Sequence, residues 1–388
     1  MVNKLQKISF LGIFVLLLFL PKNILAQDSE MEASPEASME QDVQAAEQKN
    51  EFYKGQVLEI LEEGNGGDLG YDLPTQKVKV KILDGPEKGK EIETEHGSYF
   101  AIREDQKVKA GDKVVVVKAH DTSGDIYVIT DSYRVEPMLI LFLVLAVLAF
   151  VVGGRSVLKL FALGGISLFA VIKFMIPQIV ESKDPLMLTA IASVIFAAIL
   201  IFSLEGLGKK SIVLLSSFIL IVLAAMYGIQ YVADYVSISG YGSEEAVFLQ
   251  IGPYAGIDLK NMLLGGFIFA SAAPMVYLGR KQFKFIEKAL AGRKKLTKKE
   301  LAKKSVFEVG QLASTFYFLL AFAFIAASYP LFLLLNFNQD VPMWVALNSE
   351  YFAEEIVRLI VVGVMIYGSV IVNAILGTYF LVSDKKKK

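Results

Sequence analysis

From residue 137 onward the chain is a succession of long apolar runs, near 137–153, 157–177, 185–204, 211–233, 257–278, 306–335 and 354–382. About 20 apolar residues in a helix cross the ~30 Å of hydrocarbon in a bilayer, and only structures that satisfy every backbone group internally are tolerated there. Composition agrees, with 54% hydrophobic and 20% charged residues. Residues 137–382 are therefore expected to form an α-helical polytopic membrane domain of about seven transmembrane helices. Among such helices, His-based catalysis has no material to work with, since His96 and His120 are the only histidines and both precede the runs.

Orientation follows from charge. Residues 279–304 hold eleven Lys or Arg against two acids, Glu287 and Glu300, between two apolar runs. A basic connection of this kind stays on the cytoplasmic side, so 279–304 is read as a cytoplasmic loop. With seven spans, Arg155 and Lys159, Lys209-Lys210 and the basic tail 383–388 share that side. Glu181, Asp234, Glu244-Glu245 and Asp340 fall on the other, together with the isolated Lys183 and Lys260. Trp344 lies just outside the apolar region, as an interfacial anchor would.

The preceding part divides into three. Residues 1–26 read as a secretory signal peptide, with Lys4 and Lys7 before the apolar core Ile8–Leu20 and a cleavage end at Ile24-Leu25-Ala26; an uncleaved anchor is the alternative. Residues 27–50 carry seven acids and one Lys without an apolar period, the signature of a disordered linker. In residues 51–136, Val78, Val80 and Ile82 alternate with Lys77, Lys79 and Lys81, as in a half-buried strand. Gln56–Leu61, Lys90–Glu95, Lys113–Ala119 and Ile126–Thr130 are further strand candidates, separated by Gly-containing turns. Five short strands imply a small antiparallel β-barrel of OB or SH3-like kind, extracytoplasmic by the charge argument. Its eighteen acids against twelve bases would repel phosphate, which excludes a nucleic-acid partner. Nothing spaces His96 and His120 as metal ligands, and the chain has no cysteine, so no metal or cofactor is expected.

Helix starts are marked at Asp184-Pro185, Ser211, Asp258 and Ser305-Val-Phe-Glu308, the last as a capping box. Pro177 and Pro330 lie near helix ends. Within the spans, Lys173 either snorkels past Pro177 to the surface or serves a coupling role. Glu354, Glu355 and Arg358 open the last span, where Arg358 can pair with either acid across one turn. They form either an interfacial ion pair or a carboxylate site for a proton or cation. Ser369, Asn373 and Gly377 recur every four residues below them, for helix packing or, at Asn373, for lining a cavity. There is no Walker loop, His-Glu-x-x-His or Rossmann glycine pattern, and no enzymatic activity is expected.

The order of these parts resembles the YibE/F-like family of bacterial multi-spanning membrane proteins over roughly residues 52–382. The resemblance is carried by Lys77–Leu83 with Gly85 and Gly89, Ser243-Glu244-Glu245-Ala246 before Ile257-Asp258-Leu259, and Glu354-Glu355-Ile-Val-Arg358-Leu with Gly363. It implies a membrane location and an uncharacterised, transport-related role. The chain departs from the family pattern at Ala273-Pro274-Met275-Val276, where an Asp is expected. It departs again in the sixth span, where Gln311, Ser314 and Thr315 stand beside Tyr317 and Phe318.

Two readings of function follow: a secondary-transporter-like cell-membrane protein, or a non-transporting scaffold whose barrel binds a cell-envelope partner. The lipid bilayer is a partner in both, and a homo-oligomer is compatible with either. Leu158-Lys159-x-x-x-Leu163-Gly164-Gly165 and Leu259-Lys260-x-x-x-Leu264-Gly265-Gly266 match at an offset of 101 residues. That match raises an inverted repeat of spans 2–4 and 5–7, with the glycine pairs as helix-packing positions.

Overall fold

In the computed structural model, residues 51–65, 73–98, 101–121, 124–181, 183–251, 256–292, 296–337 and 342–382 are described. The expected signal, acidic linker and basic tail lie outside them. The described chain divides into two units, one ending at Leu158 and the other beginning at Lys159.

The first unit contains five strands: β1 (Glu51–Asn65), β2 (Pro74–Ile82), β3 (Glu91–His96), β4 (Lys113–Asp121) and β5 (Gly124–Ser132). They form one sheet in the order β3-β2-β1-β4-β5, antiparallel throughout. The alternation in β2 holds, with Val78, Val80 and Ile82 buried and Lys77, Lys79 and Lys81 turned outward. These side chains meet Tyr53, Val57, Val114, Val116 and Ile129 in one core. Each fully buried Val or Ile contributes about 1.5–3 kcal/mol relative to exposure. β1 carries two register shifts, and such bulges bend a strand. The sheet therefore curls until β3 and β5 approach, where the Thr94 hydroxyl donates to the Tyr127 carbonyl at 2.5 Å. No ladder joins those edges among the described residues, so the sheet is a half-barrel. Lys113 pairs with Glu136 at 2.5 Å, at the start of the first long helix.

Among the described residues, seven helices are long and apolar enough to cross a membrane: α1 (Val135–Arg155), α2 (Val157–Val180), α3 (Pro185–Glu205), α4 (Lys209–Tyr235), α6 (Leu259–Ala291), α7 (Lys298–Ala327) and α10 (Glu350–Val382). Short helices α5 (Glu244–Ile251), α8 (Tyr329–Phe337) and α9 (Met343–Leu347) connect them. Near the end of α1, Gly154 kinks the helix at φ 60° and ψ −155°, a backbone that glycine alone enters without cost. In α2 a π turn over Val171–Met175 precedes Pro177, whose ring cannot continue the normal hydrogen-bond ladder.

Several helix boundaries correct the sequence reading. The basic segment 279–304 is not a single loop: α6 continues to Ala291 and α7 starts at Lys298. Lys and Glu favour helix, and Phe283, Ile286 and Leu301 bury an apolar stripe along the extension. The capping box is Thr297 with Glu300, each side chain accepting the other residue's backbone N–H. Ser305 is instead a buried residue inside α7. The sixth apolar run is broken: α7 ends at Ala327, Ser328 is its C-cap, and Pro330 sits in the first turn of α8. Asp184 and Asp258 do cap α3 and α6, accepting from Leu186 N and Met187 N, and from Asn261 N. Ser211 does not cap α4; Gly208 stands there, and Ser211 Oγ donates to the Gly206 carbonyl at 2.6 Å.

α6 is the hub of the second unit, packed against α3, α4, α7 and α10, while α10 also packs against α4 and α7. Leu264, Ile268, Met275, Leu278 and Phe283 of α6 meet Val361, Val362, Ile366 and Val370 of α10 in the largest core. Half of α6 and α10 is buried, against almost none of α2.

Candidate functional site

The first turns of α10 gather ionisable groups against two other segments. Glu350 accepts from Ser239 N, from Ser239 Oγ at 2.7 Å and from Gly240 N at 2.9 Å. One turn later Glu354 is 6% exposed and accepts from Gly242 N at 3.1 Å. Both carboxylates thus grip the connection between α4 and α5. That connection is shaped for the contact: Gly240 lies at φ 87°, and a Cβ on Gly242 would stand 2.6 Å from the Glu354 carboxyl carbon.

Arg358 pairs with Glu355, its Nη1 donating to both carboxylate oxygens at 2.8 and 2.9 Å. Of the two pairings open in the sequence, the structure makes this one, and Glu354 turns to the backbone instead. The guanidinium also lies 5.5 Å from the ring centres of Phe267 on α6 and Phe324 on α7. A cation between two aromatic faces gains about 0.5–2 kcal/mol per ring and is held in one orientation. The cluster therefore contains one neutralised pair and one buried carboxyl, Glu354, whose hydrogen-bond partner is a peptide N–H.

Further along the seam between α6 and α10 lies a second polar group. Gln282, fully buried, donates through Nε2 to Ser305 Oγ at 3.1 Å and to the Val370 carbonyl at 3.0 Å. Its Oε1 has no hydrogen-bond partner among the described residues, and neither has Oδ1 of Asn373, which is 2% exposed. Unsatisfied buried acceptors cost about 1–3 kcal/mol each, so these two oxygens stand out in the seam. Ser369 closes a local bond to the Ile366 carbonyl at 2.7 Å. Glu354 and Asn373 are separated by nineteen positions on α10, about 28 Å at 1.5 Å per residue. Val361, Val362, Met365 and Ile366 fill the interval, and Ser271 of α6 reaches Met365 Sδ at 3.3 Å.

A third cluster closes the opposite end of the bundle. Glu205, at the end of α3, receives Arg280, Lys210 at 3.0 Å and Lys284 at 3.2 Å, and Lys210 continues to Glu287 at 2.9 Å. It ties α3, α4 and α6 together, as a carboxylate surrounded by cations does in a structural network.

The remaining predicted residues fall in different places. Lys173 is exposed within the π turn of α2 and has no ion-pair partner among the described residues, as a snorkelling side chain would. Gly265 packs against Thr189 and Gly377 against Phe283, both closer than any Cβ would permit. Among the described residues, nothing lies within 4 Å of a Cβ built at Gly164, Gly165 or Gly266. The matched motifs thus lie in unlike surroundings, one on the outer helix α2 and one on the central helix α6. His96 is buried, with Nε2 3.2 Å from the Gln106 carbonyl. Ser314 accepts from Tyr367 OH at 3.1 Å, and Gly363 lies against the Tyr317 ring, joining α7 to α10. Gln282, Glu350, Gly242 and Glu205 were missed by sequence reasoning. Glu350 was signalled by its spacing of four from Glu354, and Glu205 by being a lone acid at the end of an apolar run.

The family model described as YibE/F-like protein matches residues 139–383, and that described as the YibE/F family N-terminal domain matches residues 71–132. No curated protein and no solved structure matches the chain.

Proposed function

This chain belongs to the YibE/F-like family, and from that premise we propose that it is a multi-pass cell-membrane protein of secondary-transporter type, coupled to protons through Glu354. The seven long apolar helices suggest the membrane location. The distribution of Lys and Arg supports a cytoplasmic α6–α7 connection and C-terminus, with the half-barrel outside. In that half-barrel β1 is bonded to both β2 and β4 while β3 and β5 converge, which is the strand order of an OB-type barrel left open at one seam.

Glu354 carries the reading: a buried carboxyl in the first turns of a long apolar helix, held by a backbone amide rather than by a cation, is able to take up and release a proton. Glu355 is a poorer candidate because Arg358 neutralises it. Gln282 Oε1 and Asn373 Oδ1 offer acceptors for a proton-bearing or cationic species farther along the same seam. The test uses the full chain in vesicles enclosing a pH-sensitive dye, with a potassium diffusion potential as driving force. Wild-type protein is expected to move protons inward, Glu354→Gln to abolish that movement, and Glu355→Gln to retain most of it. Equal proton flux in wild type and Glu354→Gln would sink the proposal.

The scaffold reading has its own support in the exposed apolar residues Phe52, Leu58 and Leu61 on β1. A strand face of this kind suits a cell-envelope protein partner. It becomes the better account if the vesicles stay proton-tight while Phe52→Ser releases such a partner.

A further inference from the structure

The hairpin of α6 and α7 carries a groove of about 640 Å³ that the seam between α6 and α10 does not include. Lys281, Lys284 and Lys288 rise from α6 on one face, spaced three and four residues apart, and all three are exposed. Beneath them the floor is apolar, built from Phe285 and Ala289 of α6 with Val309 and Leu312 of α7. Glu308 is the single acid in the lining, so three ammonium groups face one carboxylate. Lys284 also touches Glu205 at 3.2 Å, and Lys281 lies 5.4 Å from the Tyr277 ring centre. Lys288 has no carboxylate partner among the described residues.

We propose that this groove holds an anionic phospholipid, its phosphate between Lys281 and Lys288 and an acyl chain along Phe285, Val309 and Leu312. Two features of the groove select that occupant. A basic rim suits phosphate, and basic pockets between membrane helices hold anionic headgroups. The apolar floor would gain nothing from a free phosphate ion, whereas an acyl chain lying on it is removed from water. Helix length places the groove at the right depth. α6 has 33 residues, about 50 Å, against a hydrocarbon core of ~30 Å. The last turns of α6, where the lysines sit, therefore reach headgroup level, while Leu312 on α7 lies toward the apolar core. The inference rests on the membrane location but not on proton movement, so the two proposals fail separately.

Native mass spectrometry of the full chain in detergent, titrated with phosphatidylglycerol or phosphatidylcholine, reads the site directly. Wild-type protein is expected to retain phosphatidylglycerol about tenfold more tightly than phosphatidylcholine. Lys281→Gln with Lys288→Gln should lose that preference, while Lys299→Gln with Lys303→Gln, equal in charge but outside the groove, should keep it within about twofold. Leu312→Trp fills the floor without altering charge and should also expel the lipid. The proposal is overturned if both lipids bind equally, if both double variants weaken binding alike, or if Leu312→Trp binds as wild type. Displacement of the lipid by inorganic phosphate at matched phosphate concentration overturns it too, in favour of a plain anion site.

Discussion

A methyl group at Gly242 would do more than its size suggests. A Cβ there would lie 2.6 to 2.9 Å from three atoms of the Glu354 carboxyl group. Gly242→Ala is therefore expected to displace Glu354 from its backbone N–H and to cost about 1–3 kcal/mol, read as a lower unfolding midpoint in detergent. Unchanged stability would mean that the carboxylate is not held as described. The Glu355–Arg358 pair was legible from spacing alone, because residues three apart meet on one helix face. The partner of Glu354 was not, since Gly242 lies 112 residues away and no local rule reports a contact across that distance. In the half-barrel, Glu87 gives a prediction with a sign. Lys118 at 2.7 Å, the Tyr127 hydroxyl at 2.6 Å and Lys90 at 2.9 Å donate to it, and they hold its pKa down at about 2 from 4.5. Because the folded value is the lower one, Glu87 stabilises the sheet fully above about pH 4.5, and that contribution is lost as pH falls toward 2. The unfolding midpoint of the sheet should drop across that window in wild type, and Glu87→Gln should flatten the dependence.

At the scale of elements, the α6–α7 hairpin shows where a reading from hydropathy stops. Apolarity located the helices themselves, but it placed the N-cap of α7 at Ser305, eight residues after the actual cap Thr297, and ran the helix on past its C-cap Ser328. A helix ends where its backbone N–H groups are capped, not where its side chains become polar, and Thr297 with Glu300 does that capping. Thr297→Ala is expected to cost about 1 kcal/mol and to fray the first turn of α7. Ser305→Ala should leave that turn intact and act instead on Gln282, whose amide loses one acceptor. Amide hydrogen exchange at Glu300 and Leu301 separates the two variants. The strands were easier to read, because a period of two with β-branched residues is hard to mistake, and β2 follows it residue by residue. β1 runs well beyond the expected Gln56–Leu61, since its outer residues lack a clear apolar alternation and only its pairing with β2 and β4 identifies them as strand.

For the whole molecule, topology is the first matter to test. The chain lacks cysteine, so single cysteines at Glu62 and Lys299 report independently. An impermeant thiol reagent should label Glu62→Cys in intact cells and spare Lys299→Cys; the reverse pattern would invert the proposed orientation and move the lipid groove to the other leaflet. The seven helices could be counted from the sequence because each contains an apolar stretch long enough to cross a membrane. Their unequal burial could not, since it depends on what surrounds each helix and not on apolarity alone. One feature of the sheet also sets a timetable. β2 and β3 follow β1 closely and pair with it and with each other in turn, so that three-stranded meander needs only contacts between near neighbours in the chain. The second edge of β1 must wait for β4, with Glu51 opposite Lys118, and the Thr94–Tyr127 stitch waits for β5. Contacts so distant in sequence form slowly. During synthesis the half-barrel therefore spends an interval as an open meander with β1 as a bare edge, and a chaperone that binds extended segments would find its substrate there.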